Sequence, residues 1–219
     1  MSVPQPFLAD RVQGAPGGKI LGGGGSINAM IWLRGDPRDN QLWHRMVGPE
    51  WNPGELKRAY LKVTQPAMAC RPGSTNTGQN IGYIAVGRFA QKHPLTAAYL
   101  AAGVETGLKT MELNAGLPLD GVGVAEVNAT EDGRRIGPAQ AFLVPALARP
   151  NLKVLSNTLI TKLVLEGKHC RGVEAIIDNI PTKINARYKT LLCAGTYESP
   201  KLLMLSGLGP ADQLARSNI

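Results

Sequence analysis

Gly18-Lys19-Ile20-Leu21-Gly22-Gly23-Gly24-Gly25-Ser26-Ile27-Asn28-Ala29-Met30 sets four consecutive glycines immediately ahead of a serine and an asparagine. Glycine reaches backbone conformations closed to other residues and lets a ligand approach without side-chain interference. Successive exposed N–H groups in such a loop form a concavity suited to phosphate or to the polar edge of a ring. Glycine-rich runs also serve as flexible linkers. A linker, however, carries Ser, Pro or charge on both sides. This run instead leads into Ile27-Asn28-Ala29-Met30-Ile31-Trp32-Leu33, a mostly apolar segment that reads as the start of a buried helix or strand. The flanks therefore favour a loop that brings bare backbone against something flat or anionic.

Composition implies a globular chain. The chain has 219 residues, 43% of them hydrophobic, which is enough for a sizeable core in one large domain or two small ones. Glycine supplies 26 residues, well above its usual share of about 7%, and implies tight turns and close backbone contacts without a collagen-like period. The formal charge of +8 is spread along the chain, and its longest basic run is Arg134-Arg135. That distribution argues against a nucleic-acid partner, while a modest positive excess equally suits an anionic dinucleotide. Cys70, Cys170 and Cys193 are odd in number and lack metal-type spacing, so they read as reduced thiols and no metal site is expected. The first residues, Met1-Ser2-Val3-Pro4-Gln5-Pro6-Phe7-Leu8, lack the charged and apolar regions of a signal peptide, and no apolar run is long enough for a membrane segment.

Local patterning predicts a mixed chain. Asp36 before Pro37 and Asn52 before Pro53 mark two helix starts. Pro, Gly, Ser, Thr and Asn over 66–80 mark a surface loop or an excursion between subdomains. A helix is expected over 94–106, a half-buried strand over 122–127, a turn at Glu131-Asp132-Gly133 and helical structure over 139–148. Strand-like stretches at 152–155, 159–166 and 172–177, with a hairpin turn at Glu166-Gly167-Lys168, predict a β-meander. Lys189-Thr190-Leu191-Leu192-Cys193-Ala194-Gly195 reads as a buried strand ending at glycine, with a helix from Lys201 onward. Strand, small residues, then helix is where open α/β sheets place nucleotide ligands.

Two segments together resemble the glucose–methanol–choline family of flavin-dependent oxidoreductases. Residues 18–35, from Gly18 through Arg34-Gly35, look like the family's first motif. Ala194-Gly195-Thr196-Tyr197-Glu198-Ser199-Pro200-Lys201-Leu202-Leu203-Met204-Leu205-Ser206-Gly207-Leu208-Gly209-Pro210 looks like its second. Asp132-Gly133-Arg134-Arg135 and Arg149-Pro150-Asn151-Leu152-Lys153-Val154 also resemble family stretches, so the similarity spans nearly the whole chain. The resemblance implies an α/β fold with α+β elements. Residues 1–219 would form part of the family's N-terminal FAD-binding region, an incomplete Rossmann-like domain with a β-meander and part of a substrate-binding domain.

The resemblance also assigns residues. The loop from Lys19 through Leu21, Gly22, Gly23 and Gly24 to Ser26 would run along the pyrophosphate and flavin of FAD. Asn28, Ala29 and Met30 would sit against the isoalloxazine ring, where an Asn can donate and accept hydrogen bonds. Ile160 matches a position whose backbone meets the adenine, and Ala194 and Gly195 match the small pair packed on the adenosine part.

Departures from the pattern set further expectations. Glycine stands at 24 and 25, and again at 137, where the family often has serine. No Gly-x-Gly-x-x-Gly occurs, although the family carries that fingerprint to hold the diphosphate. Its loss removes hydrogen bonds worth about 1 kcal/mol each, and the expectation is that FAD is bound weakly or not at all. His44, His93 and His169 match no catalytic context, so no catalytic residue is assigned in this chain. The expected role is a catalytically incomplete FAD-dependent oxidase or dehydrogenase acting on an alcohol. Two alternatives are a catalytically silent flavin-fold protein that associates with a full-length relative, and a member resembling the hydroxynitrile lyases of the same fold.

Overall fold

The computed structural model describes residues 2–66, 83–88 and 93–219, in two compact units, Met1–Arg149 and Pro150–Ile219. In the first unit the glycine-rich loop leads into β1 (Ile31–Trp32). Helices α1 (Pro37–Val47) and α2 (Pro53–Val63) start where the sequence signals them. The Arg38 N–H donates to Asp36 Oδ1 at 2.7 Å, and the Gly54 and Glu55 N–H groups donate to Asn52 Oδ1 at 2.9 and 3.0 Å. Both caps satisfy donors that a first helical turn leaves unpaired. β2 (Thr64–Pro66) pairs in parallel with β3 (Ile84–Val86), whose three residues are all buried, as befits a parallel strand covered on both faces. α3 (Pro94–Glu105) follows, with the Leu95 N–H donating to His93 Nδ1 at its start.

β4 (Lys109–Thr110) pairs in parallel with β5 (Gly121–Val122), and β6 (Glu126–Val127) returns antiparallel to β1. The strand expected over 122–127 is thus two strands in two sheets. The chain changes partner at Gly123, where an added Cβ would lie 2.3 Å from the Met111 carbonyl oxygen. The expected helix over 139–148 opens as a π-turn (Ala139–Leu143) running into α4 (Val144–Ala146). Pro145 has no N–H to offer the carbonyl four residues back, so the regular ladder cannot continue there.

Ile84, Val86 and Ala141 form the core of this unit, with Trp32 and Ile136 packed on it. Trp32 meets Tyr60 edge to face, with ring centroids 6.3 Å apart. The apolar segment 27–33 is less buried than its composition predicts: Ile27, Ile31 and Leu33 are 50%, 58% and 44% exposed. A two-residue strand turns one side chain inward and its neighbours outward, and here Trp32 takes the inward place.

The second unit is a meander of β7 (Thr158–Glu166), β8 (His169–Ile177) and β9 (Ile180–Asn185), packed on by α5 (Glu198–Leu205) and followed by α6 (Ala211–Arg216). Its hairpins are two-residue turns at Gly167-Lys168 and Asp178-Asn179, the latter with φ of +50° and +64°. The meander is as expected, but its members differ: 152–155 joins no strand, and 180–185 supplies the third. Pro181 reads as a breaker in sequence. It is tolerated because β9 lies at the sheet edge. Ser206 ties α5 to β7, donating to the Leu202 carbonyl at 2.6 Å and accepting the Leu163 N–H at 2.8 Å.

The buried strand expected over 189–195 is not formed. Leu191 is 83% exposed, and the segment pairs with no described strand. An apolar strand stays buried only where a neighbour completes its ladder. The loop expected over 66–80 lies outside the described residues except for Pro66, the last residue of β2, and Cys70 lies outside them too. No helix among the described residues is long and apolar enough to cross a membrane.

Candidate functional site

The glycine run closes on itself. The Gly23 N–H donates to the Ile20 carbonyl at 2.9 Å, Gly25 to Gly22 at 3.1 Å, and Ile27 and Asn28 both donate to Gly24 at 3.2 and 2.9 Å. Ser26 Oγ donates inward to the Leu21 carbonyl at 2.9 Å. The row of outward N–H groups expected from sequence is therefore partly consumed within a 3₁₀ turn, Gly23–Ser26. Its glycines divide by environment. An added Cβ would lie 2.3 Å from the Gly23 oxygen at Gly18, 2.4 Å from Ser26 Oγ at Gly22 and 2.6 Å from Pro138 Cδ at Gly25. At Gly23 and Gly24 it would meet nothing within 4 Å. Gly18, Gly22 and Gly25 thus let the loop fold; Gly23, with φ of +52°, serves the turn and also leaves open space beside it, and Gly24 leaves the outer face bare without any such conformational demand. Lys19 and Leu21 are exposed on the limb that enters the turn.

Asn28, Ala29 and Met30 follow directly. Asn28 Oδ1 accepts the Met30 N–H at 3.0 Å, and Met30 adopts φ of +64°, a left-handed conformation that is uncommon away from glycine. The Asn128 N–H donates to the Met30 carbonyl at 2.9 Å. Arg135 closes the arrangement: its Nη1 donates to Asn28 Oδ1 at 2.5 Å and to the Gly25 carbonyl at 3.2 Å, and its Nη2 donates to the Asn28 carbonyl at 2.7 Å. Arg135 stands on the returning limb of a hairpin, bridged to Ala129 and turned at Gly133. Asp132 in that turn accepts from the Thr130 hydroxyl, which with the nearby Arg134 charge holds its carboxyl below the usual carboxylate range. In the sequence, Arg135 is signalled only by the paired arginines after an Asp-Gly turn, and nothing marks Asn128.

Just beyond β1, Asp36 is an electrostatic anchor. Arg38 Nε and Nη2 donate to its two oxygens at 3.0 and 2.7 Å, the Leu119 N–H donates at 2.8 Å, and Arg38 also reaches Asp120 at 3.0 Å. The hydrogen bonds from Arg38, and next the Leu119 N–H, hold the Asp36 carboxyl well below the ordinary carboxylate range. A depressed folded-state pKa makes this contribution complete above the unfolded value of about 4 and lost as pH falls through the folded value. The urea midpoint of the first unit should therefore drop with acid below about pH 4 more steeply in the natural chain than in Asp36→Asn. All three tryptophans lie in this unit, so their emission reads the transition. Parallel acid profiles for the two proteins would remove Asp36 as the anchor.

In the second unit Ile160 lies on β7, an edge strand, opposite Ala175 and beside an irregularity between Ile160 and Lys162. Ala194 and Gly195 form the exposed turn before α5. The Ala194 N–H donates to Ser199 Oγ at 3.1 Å, the Ser199 N–H returns to the Gly195 carbonyl at 3.1 Å, and Gly195 adopts φ of +93° with open space at its Cβ position. Ser199 was not singled out from sequence, though it lies within the second motif. His44 and His93 serve helix ends: His44 Nδ1 contacts the Gly48 carbonyl after α1, and His93 caps α3. No group of three His, Cys, Asp or Glu placed to hold a metal occurs among the described residues.

A family model described as GMC oxidoreductase matches residues 8–217. The oxygen-dependent choline dehydrogenase of Brucella anthropi is 37% identical over 216 residues, covering 99% of this chain and 38% of that protein. Pyridoxine 4-oxidase from Mesorbium loti superposes with a TM-score of 0.84 at 30% identity, over 99% of this chain and 42% of that one. An FAD-dependent oxidoreductase from Chaetomium thermophilum gives a TM-score of 0.84 at 26% identity, over 100% of this chain and 39% of that one. The chain spans about two-fifths of the length of the curated relatives it matches.

Proposed function

This chain belongs to the GMC oxidoreductase family, and on that premise we propose that it carries the loop and turn contacts of an FAD site in an oxidoreductase acting on an alcohol. The family is one of FAD oxidoreductases acting on CH–OH donors. Residues 1–219 are read as part of its N-terminal FAD-binding region. The observation that carries the proposal is the bare outer face at Gly23 and Gly24, held next to Asn28 by the loop's own hydrogen bonds and by Arg135.

The residues present fit the cofactor. Gly22, Gly23 and Gly24 offer main chain where a side chain would stand in the way, and the exposed Lys19 ammonium suits a diphosphate. Leu21 and Ser26 shape the turn, and Asn28, Ala29 and Met30 present amide and apolar surface to a polar ring. In the second unit the Ile160 backbone on an edge strand and the small, open Ala194-Gly195 turn suit the adenosine half. When bound, FAD supplies the two-electron acceptor for hydride leaving the CH–OH carbon.

Titration with FAD, followed by flavin fluorescence and by the visible absorption band, tests the proposal. Saturable binding in the micromolar range is the expected result. A flavin signal unchanged up to millimolar FAD overturns it.

A second reading, association with a full-length relative, is favoured by one observation: 189–195 has strand character, ends exposed and pairs with no described strand. Co-purification with such a relative, abolished by Leu191→Lys, is its test.

A further inference from the structure

We infer that Arg135 is the positioning residue of the glycine-rich loop, and that it turns the outer face of Asn28-Ala29 into a hydrogen-bond donor surface for the acceptor edge of a planar ligand. The inference rests on the flavin reading for the ligand's identity, and on this chain's geometry for everything else.

Asn28 Oδ1 faces two groups that can only donate, the Met30 N–H and the Arg135 guanidinium. The amide orientation is therefore fixed by chemistry: with oxygen inward, Nδ2 is the end turned away. Among the described residues Nδ2 has no partner, and Asn28 is exposed. The same guanidinium takes the Asn28 carbonyl at 2.7 Å. In a trans peptide the carbonyl and the following N–H point in opposite directions, so clamping the Asn28 carbonyl turns the Ala29 N–H away from Arg135. The outer surface then carries two donors, Asn28 Nδ2 and Ala29 N–H, beside the bare Gly23 and Gly24 backbone.

The fork matters as well as the charge. One planar guanidinium spans the Gly25 carbonyl, the Asn28 carbonyl and Asn28 Oδ1, a geometry that a lysine ammonium on a flexible stem does not reproduce. Arg135 is held in turn by the Ala129 bridge and by the hairpin that carries Asn128 to the Met30 carbonyl. The hairpin thus braces the loop from its inner side and leaves the outer side free.

Three variants test this: Arg135→Gln, Arg135→Lys and Asn28→Asp. In the ligand-free chain, hydrogen exchange at the Met30 amide should rise at least tenfold in Arg135→Gln and only partly recover in Arg135→Lys. In Asn28→Asp it should stay unchanged, because the carboxylate still accepts from Met30 and Arg135. FAD affinity should fall about tenfold or more in all three, with a shift of the visible flavin band in Asn28→Asp, where a donor becomes an anionic acceptor. Tryptophan emission confirms that each variant is folded. Full recovery by lysine, or unchanged exchange in Arg135→Gln, overturns the clamp. Wild-type binding retained by Asn28→Asp overturns the donor surface. If the natural chain binds no FAD while the exchange results hold, the flavin reading falls alone.

Discussion

Replacing Gly172 with alanine unravels the three-stranded sheet of the second unit. Gly172 lies on β8 with φ of +151°, paired with Val164 on one side and Asn185 on the other. A Cβ there would sit 2.0 Å from the Ile184 carbonyl oxygen and 2.9 Å from Asn185 Cα. Both neighbours are backbone, so no rotamer change relieves the contact. The register shifts between Val164 and Leu165 at this point, and the bulge depends on a residue that bends without a side chain. Overpacking costs about 1–3 kcal/mol and the unfavourable φ a similar amount. The total is a large part of the 5–15 kcal/mol that typically holds a domain together. Because the tryptophans lie in the first unit, the readout is amide exchange over 158–185: protection present in the natural chain should disappear in Gly172→Ala. Retained protection there would show that the bulge can shift without glycine.

The sequence disclosed local signals well and partnerships poorly. The two Asx-type caps and the helix starts were legible because capping is a matter of neighbouring residues. The long strands β7 and β8 were legible from their apolar runs and the intervening Gly167 turn. What failed depended on pairing. Residues 152–155 and 189–195 have the composition of strands and yet stand outside every sheet among the described residues. Residues 180–185 contain a proline and form one, because an edge position spares Pro181 the missing donor. Periodicity reports what a segment could bury, and only the rest of the fold decides whether a partner stands opposite.

For the site, sequence located the loop and missed its brace. Glycine content marked 18–30 as a place where backbone meets something closely, but composition could not distinguish glycines that admit a ligand from glycines that admit the loop's own turns. Arg135 is 107 residues from Asn28 in the chain, and no short-range pattern joins them. The conformation of the four-glycine loop rests both on its own hydrogen bonds and on those from a hairpin far along the sequence.

The division among the glycines yields the sharpest expectation for function. In Gly18→Ala the new methyl would stand 2.3 Å from the Gly23 oxygen and 2.4 Å from its carbonyl carbon, so the limb entering the turn must move away. The Gly23 N–H bond to the Ile20 carbonyl lies inside that closure and is disturbed with it. Displacement of a well-packed backbone contact costs about 1–3 kcal/mol, which at the loop translates into a loss of roughly 10–100-fold in FAD affinity. Gly24→Ala provides the matched control. Its Cβ meets no protein atom within 4 Å and its φ is not in the left-handed region, so the folded loop accepts the methyl without strain. If Gly23 and Gly24 only shape the turn, Gly24→Ala binds FAD as the natural chain does. If they are the bare surface on which the cofactor rests, the methyl obstructs the ligand alone, and affinity falls with no change in thermal stability. The expected pattern is loss of binding in both variants, with destabilisation in Gly18→Ala only. An unchanged flavin titration in Gly24→Ala would move the cofactor surface away from this face of the loop.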